Sequence, residues 1–322
     1  MSWPKTIAGA ILAIVASGLI WFFWPMDDSV PALPHHFRGR VVVPQASIRF
    51  YVIKVGYSAD VDYRDVIEGG EARRADLPTL VFFVDHPRGK VLIDSGYGRR
   101  FQQLRTRFPS WLLFKLIRPT VPPDWSLDRQ LARIGVRLED ITHIVLTHAH
   151  NDHAGGIQDC PRAKIFMPRA EWDYATRDWS AAWHGFIPEQ LDGIADRVVF
   201  VAYRPHTPYG PFEQSYDLFG DGSIVLVSTP GHTAGSQGVF VNLPSGRRFF
   251  LAGDTAWVAD NYRRPAPKSR LVRRLGEYDE RAVWENLWRI HRLAELAPDI
   301  TIIPGHDPDV DARLKHLPEF YQ

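Results

Sequence analysis

Thr147-His148-Ala149-His150-Asn151-Asp152-His153-Ala154-Gly155-Gly156 is the stretch on which the reading of this 322-residue chain turns. Three histidines and an aspartate fall within six positions, directly after an apolar run at residues 141–146 that reads as a strand. Imidazole and carboxylate are good ligands for zinc and other borderline divalent metals. Side chains alternate along an extended segment, so His148 and His150 point to one side and can converge on one ion. Asp152 and His153 lie just beyond, where the chain turns, and can face a second ion. Gly155-Gly156 lets the backbone pass close to the site without Cβ clashes. Burying four such polar groups without partners would cost ~1–3 kcal/mol each, and a cation removes that cost.

Three further segments repeat the arrangement. Thr229-Pro230-Gly231-His232-Thr233 follows an expected strand at 223–228, Gly253-Asp254-Thr255 follows one at 248–251, and Pro304-Gly305-His306-Asp307 follows one at 300–303. Each puts a potential ligand at the exit of an apolar strand, in a Gly-containing turn, and active sites commonly sit on loops held by a rigid scaffold. Residues 41–43, 48–55, 80–84, 91–93, 197–202 and 239–241 also read as strands, with residues 85–89 as a hairpin loop. Residues 126–134 and 281–296 have helical periodicity; in the second, Val283, Leu287, Ile290 and Leu293 fall at core spacing. Strands dominate each half and helices separate or follow them, which suggests helices packed outside a β-sandwich.

Composition excludes some classes of function. The chain is 45% hydrophobic and 23% charged, an ordinary globular balance, and its net charge of +1 offers no electrostatic footprint for nucleic acid. Cys160 is the only cysteine, so there is no internal disulfide and no cysteine-rich zinc site; it is expected as a small residue near the end of a helix. Residues 7–24 read IAGAILAIVASGLIWFFW without a charge. As a helix they would span roughly 27 Å, near the thickness of a bilayer's hydrocarbon core. Lys5 precedes the run and Asp27 and Asp28 follow it, which puts the N-terminus in the cytoplasm and the remainder outside. The expected organisation is a cytoplasmic terminus (1–6), a transmembrane signal-anchor (7–24), a Pro-containing linker (25–37) and one catalytic domain (38–322). A cleaved signal peptide, with Ala13 and Ala16 near the cut, is the competing reading and would give a secreted protein.

The order HxHxDH, PGH, GD, GH resembles the metallo-β-lactamase superfamily over residues 40 to 308. The resemblance implies an α+β fold, an αββα four-layer sandwich, with a dinuclear site at one edge. Position by position, it implies that His148, His150 and His232 bind one metal, that Asp152, His153 and His306 bind another, and that Asp254 bridges them. Asp94, in Leu92-Ile93-Asp94-Ser95-Gly96, would orient a ligand rather than bind. The expected cofactors are two divalent ions, zinc first, with manganese or iron as alternatives. The expected reaction is attack on a carbonyl by a hydroxide shared between the ions, with Asp152 as proton shuttle.

Within the superfamily, HAHNDHAGG, TPGHTAGSQ and PGHDP are most similar to the N-acyl homoserine lactonase branch, which implies a lactone substrate. That branch usually carries a tyrosine three residues after the bridging aspartate. Here Trp257 stands at that position, so either another group such as Tyr262 substitutes or the substrate differs. Trp111 to Phe114 and the aromatic segment containing Trp172, Tyr174, Trp179, Trp183 and Phe186 would hold an acyl chain if they line the mouth; equally, they would pack insertion helices onto the sandwich or dip into a membrane. The expected partners are thus a small apolar or acyl-bearing substrate and, through the N-terminal helix, the membrane. The alternatives are a glyoxalase-II-like thioester hydrolase, with Arg263, Arg264, Lys268, Arg270, Arg273 and Arg274 as its carboxylate-binding run, a phosphodiesterase, and a non-catalytic metal-binding membrane protein.

Overall fold

The computed structural model describes residues 3–106 and 110–322. Its strands form two sheets. The first contains β1 (Arg49–Asp62), β2 (Arg74–His86), β3 (Gly89–Ile93), β4 (Pro119–Thr120), β5 (His143–Val145), β6 (Lys164–Met167) and β7 (Val198–Phe200), in the order β4-β1-β2-β3-β5-β6-β7. The second contains β8 (Ser215–Asp217), β9 (Ile224–Ser228), β10 (Gln237–Asn242), β11 (Arg248–Leu251) and β12 (Thr301–Ile303), in the order β12-β11-β10-β9-β8. The hairpin expected at 85–89 pairs His86 with Gly89.

The period-two alternation of the strands builds the layers. Phe50, Val52, Phe82, Val84 and Ile93 of the first sheet meet Leu226, Val239, Val241, Phe249 and Leu251 of the second in a core between the sheets. Their neighbours Tyr51, Ile53, Val81, Phe83 and Leu92 face the other way and are covered by Leu127, Leu131 and Tyr174. On the far side, Val225, Val227, Phe240 and Phe250 pack under Val283, Leu287, Ile290 and Leu293 of the helix Glu280–Leu296. The result is the expected helix–sheet–sheet–helix sandwich.

Several boundaries differ. Residues 41–43 form no strand; Val42 packs beside Gly222 and Val43 is half exposed, so the β-branched run has no partner strand. β4, β6 and β8 were not expected. Cys160 follows the single turn Ile157–Asp159, and burial pushes its thiol up to about 12.

The N-terminal expectation requires correction. A helix covers Trp3–Phe23, although several of its side chains lie outside the described residues. Among the described residues no helix is long and apolar enough to cross a membrane, which leaves the transmembrane signal-anchor and the extracytoplasmic placement built on it unsupported. The segment after the helix is also no free linker. Arg274 donates to the Trp24 carbonyl at 2.6 Å, Arg281 to those of Asp27 and Ser29 at 2.9 and 2.8 Å, and Arg292 to that of Pro34 at 2.8 Å. These bonds hold the segment against the helix Glu280–Leu296 and the end of the helix Arg270–Gly276.

Candidate metal centre

All four expected strand exits meet at one edge of the sandwich. The loop after β5 brings in His148 and His150 and opens the single-turn helix Asn151–Ala154, which carries Asp152 and His153. The loops after β9, β11 and β12 bring in His232, Asp254 and His306. The described residues form two groups whose potential ligand atoms lie within 4.8 Å of one another: His148, His150, His232 and Asp254, and then Asp152, His153 and His306. Close backbone approach is required as expected. A Cβ on Gly155 would lie 2.2 Å from the Tyr97 carbonyl oxygen, and one on Gly305 would lie 2.3 Å from Asp254 Oδ1.

Asp254 lies between the two groups. Its Oδ2 lies 3.4 Å from His232 Nε2 and 3.9 Å from His148 Nε2, and it also stands 3.2 Å from His306 Nε2. Its Oδ1 lies 3.1 Å from His306 Nε2 and 3.4 Å from His153 Nε2. Asp152 Oδ2 stands 3.7 Å from each of His153 Nε2 and His306 Nε2. Ligands held tetrahedrally at about 2.0–2.1 Å from zinc are themselves about 3.3–3.4 Å apart, so these spacings suit shared cations.

Buried polar atoms test that fit. Nε2 of His148, His150 and His153 and Oδ1 of Asp254 have no hydrogen-bond partner among the described residues, an expensive omission for buried groups. His232 Nε2 and His150 Nδ1 face each other at 3.0 Å, which two lone pairs would not do without a proton or a cation between them. Burial, helped by neighbouring imidazoles, pushes His148 and His150 well below the usual histidine range, so both are neutral, the form that ligates. Burial also opposes a charge on His153, but Asp152, Asp94 and Asp254 outweigh it and raise that group. Carboxylates that stabilise a proton there would equally stabilise a metal cation. The residues therefore fit two divalent ions.

The outer contacts orient the rings. Asp94 accepts from His153 Nδ1 at 2.8 Å and from the Thr147 N–H at 2.7 Å, and it adopts φ +61°, a strained conformation for a non-glycine residue. His306 Nδ1 bonds to the Pro78 carbonyl at 2.9 Å. Three residues here were not expected from sequence. Glu277 Oε2 accepts from His232 Nδ1 at 2.8 Å. Lys268 Nζ pairs with Glu277 Oε1 at 2.5 Å. Glu171 accepts from the N–H groups of Ala149 and Gly235 at 2.6 and 2.8 Å and from the Thr233 hydroxyl at 2.7 Å, tying the loop after β5 to the loop after β9. A lone acid in an aromatic helix and a lysine in a basic run gave no sequence signal for these roles.

The candidate substrate residues divide. Trp257 reaches the site, but its indole Nε1 donates to Asp254 Oδ2 at 2.8 Å rather than outward. Tyr262 is buried among Ala259, Leu287 and Ile290, under the second sheet. Trp111 is partly buried on the helix Ser110–Ile117, with the Lys115 ammonium over its ring. Trp183 is half exposed in the turn Ala181–His184, just before Phe186, whose ring meets that of His150 at 4.7 Å. Part of the basic run is turned inward: Arg273 pairs with Glu68 and Glu280, and Arg274 with Glu280, while Arg263 and Arg264 are exposed.

Comparison with known proteins agrees with this geometry. The family model described as "Metallo-beta-lactamase superfamily" matches residues 74–306. The chain is 28% identical over 278 residues to the N-acyl homoserine lactonase AttM of Rhizobium radiobacter, covering 85% of this chain and 98% of that protein. It is 30% identical over 250 residues to the probable metallo-hydrolase Rv2300c of Mycobacterium tuberculosis, covering 71% and 74% of the two chains. A structure of N-acyl homoserine lactone hydrolase with N-hexanoyl-L-homoserine at its catalytic metal centre shares the fold, with TM-score 0.67 and 20% identity over 85% of this chain and 98% of that one. The dizinc quorum-quenching lactonase AidC shares it at TM-score 0.58 and 17% identity, over 85% and 91%.

Proposed function

The chain belongs to the metallo-beta-lactamase superfamily, and from that premise we propose that it is a two-metal hydrolase that opens lactones of the N-acyl homoserine type. The observation that carries the reaction class is Asp254, whose carboxylate lies between the two ligand groups, 3.4 Å from His232 and 3.1 Å from His306. Likeness to AttM along 98% of that protein's length supports the substrate class. The thioester reading loses its main support, because Lys268, Arg273 and Arg274 spend their charges on buried or half-buried glutamates.

His148, His150 and His232 would hold one ion, Asp152, His153 and His306 the other, with Asp254 between them. Bound there, divalent ions supply Lewis acidity, making hydroxide available at neutral pH and polarising a carbonyl. The chain's own residues do the rest. Asp94, Glu277 and the Pro78 carbonyl fix the rings of His153, His232 and His306 by their second nitrogens, which sets which nitrogen is free to ligate. Asp152 is the most exposed of the seven ligands by side chain, at 14%, and is placed to carry a proton to the leaving oxygen. Trp257 has no titratable hydroxyl, and its one donor is already engaged by Asp254, so it does not share that task.

The test is pH-stat titration of the zinc-loaded chain with a long-chain N-acyl homoserine lactone. Ring opening releases a carboxylic acid, so turnover is read as base consumption. Rapid uptake abolished by a chelator is expected. No uptake by a chain that holds two metals would sink the lactonase reading while leaving the metal centre intact.

Trp257→Phe isolates the indole N–H, since phenylalanine keeps a ring beneath Lys268. A hydrogen bond to a charged group contributes roughly 1.5–3 kcal/mol. We expect kcat/KM to fall by about tenfold or more, with the thermal unfolding midpoint little changed. Unchanged kinetics would show that Asp254 needs no help from Trp257.

A further inference from the structure

Lys268 is only 2% exposed, although it stands in a run of arginines. Its Nζ donates to the main-chain carbonyl of Asp254 at 2.7 Å and to Glu277 Oε1 at 2.5 Å, and lies 4.8 Å from the centroid of the Trp257 ring. Glu277 in turn grips His232, and Trp257 grips Asp254. The contacts close a ring: Lys268 to Glu277 to His232 on one side, Lys268 to Trp257 and Asp254 on the other. Lys268 thus touches the Asp254 loop directly and reaches the His232 loop through Glu277.

We propose that Lys268 is a positioning residue that sets His232 and Asp254 toward the same metal ion; this rests on the two-ion reading of the cluster. A buried lysine is uncommon unless paired, and here the pairing runs straight to a ligand. The ammonium uses one N–H on the Asp254 loop and another on the carboxylate that orients His232. Without it, Glu277 would be a buried carboxylate lacking its counter-charge and free to turn from the imidazole. Asp254 serves both groups but His232 only one, and the histidines of the other group have their own partners. Asp94 and the Pro78 carbonyl hold His153 and His306, and neither touches Lys268. The two ion sites should therefore respond differently to its loss.

The experiment is zinc titration of the metal-stripped full chain against a chromophoric chelator. The unaltered chain is expected to bind two zinc ions; uptake of none would overturn the two-ion reading itself and this inference with it. In Lys268→Met, one of the two zinc equivalents should weaken by roughly 10–100-fold, the usual cost of losing a residue that orients a ligand, while the other is retained. If that variant fails to fold, Lys268→Gln, which keeps Glu277 and leaves an amide donor in the buried position, replaces it. The same selective weakening is expected of it. Wild-type affinity at both sites, or equal weakening of both, would overturn the proposal, because a general packing role has no reason to favour one ion.

Discussion

Asp254→Ala is expected to reduce lactone hydrolysis by about three orders of magnitude or more and to lower bound zinc below two ions per chain. The size of the effect follows from what the carboxylate faces. Oδ2 lies against His232 and His148, and Oδ1 against His306 and His153, so a single truncation takes a ligand from both groups. What remains is five imidazoles and Asp152. One carboxylate would then serve two dications in a buried cluster, and the neighbouring carboxylates are committed, Asp94 to His153 and Glu277 to His232 and Lys268. Burial opposes the charge on Asp254, but His306, His153 and His148 outweigh it and hold the carboxyl well below its usual range, so it is ionised at any pH where hydrolysis would be assayed. The check is pH-stat initial rates alongside metal analysis of the same preparation. A variant that keeps full activity would remove Asp254 from the centre and with it the bridging assignment.

The seven clustered side chains were legible in sequence because the pattern that marks them is local. A strand must end, its last side chains alternate, and a glycine turn lets the next residue reach inward; each step leaves a residue in the sequence. Asp94, the residue leaving β3, was read only through the resemblance of Leu92-Ile93-Asp94-Ser95-Gly96 to the superfamily's strand-end motif. The cluster's supporting contacts were not legible. Glu171 is 22 residues from Ala149 and 64 from Gly235, and Glu277 is 45 from His232. Separations of that size are set by the topology of the two sheets, which patterning alone does not specify. The basic run around Lys268 misled for a related reason: charge in sequence says nothing of which way a side chain turns, and the acids that neutralise this one, Glu68, Glu277 and Glu280, lie partly outside it. The residues 41–43 show the opposite error, a local β signal with no neighbouring strand to pair it.

Glu171→Ala should be the most destabilising single change at the site that touches no ligand. The side chain is fully buried in the helix Arg169–Arg177, and burial pushes its carboxyl above the ordinary range despite three hydrogen bonds that work the other way. Truncation leaves the N–H groups of Ala149 and Gly235 without their acceptor and the Thr233 hydroxyl with only Ser236 Oγ, 2.7 Å away. Each orphaned backbone donor costs about 1–3 kcal/mol, so a loss of roughly 3 kcal/mol or more is expected. For a chain of 322 residues, at about 2.1 cal/mol/K per residue, that lowers the unfolding midpoint by roughly 4–5 °C or more. Ala149 sits between His148 and His150, and Thr233 follows His232, so the same truncation should loosen three ligands at once and weaken zinc binding in the folded protein. Thermal unfolding of the metal-stripped chain reads the first effect and zinc competition reads the second. A variant that melts like the parent would mean that the two loops hold their geometry without the carboxylate, and that the sheet framework alone positions His148, His150 and His232.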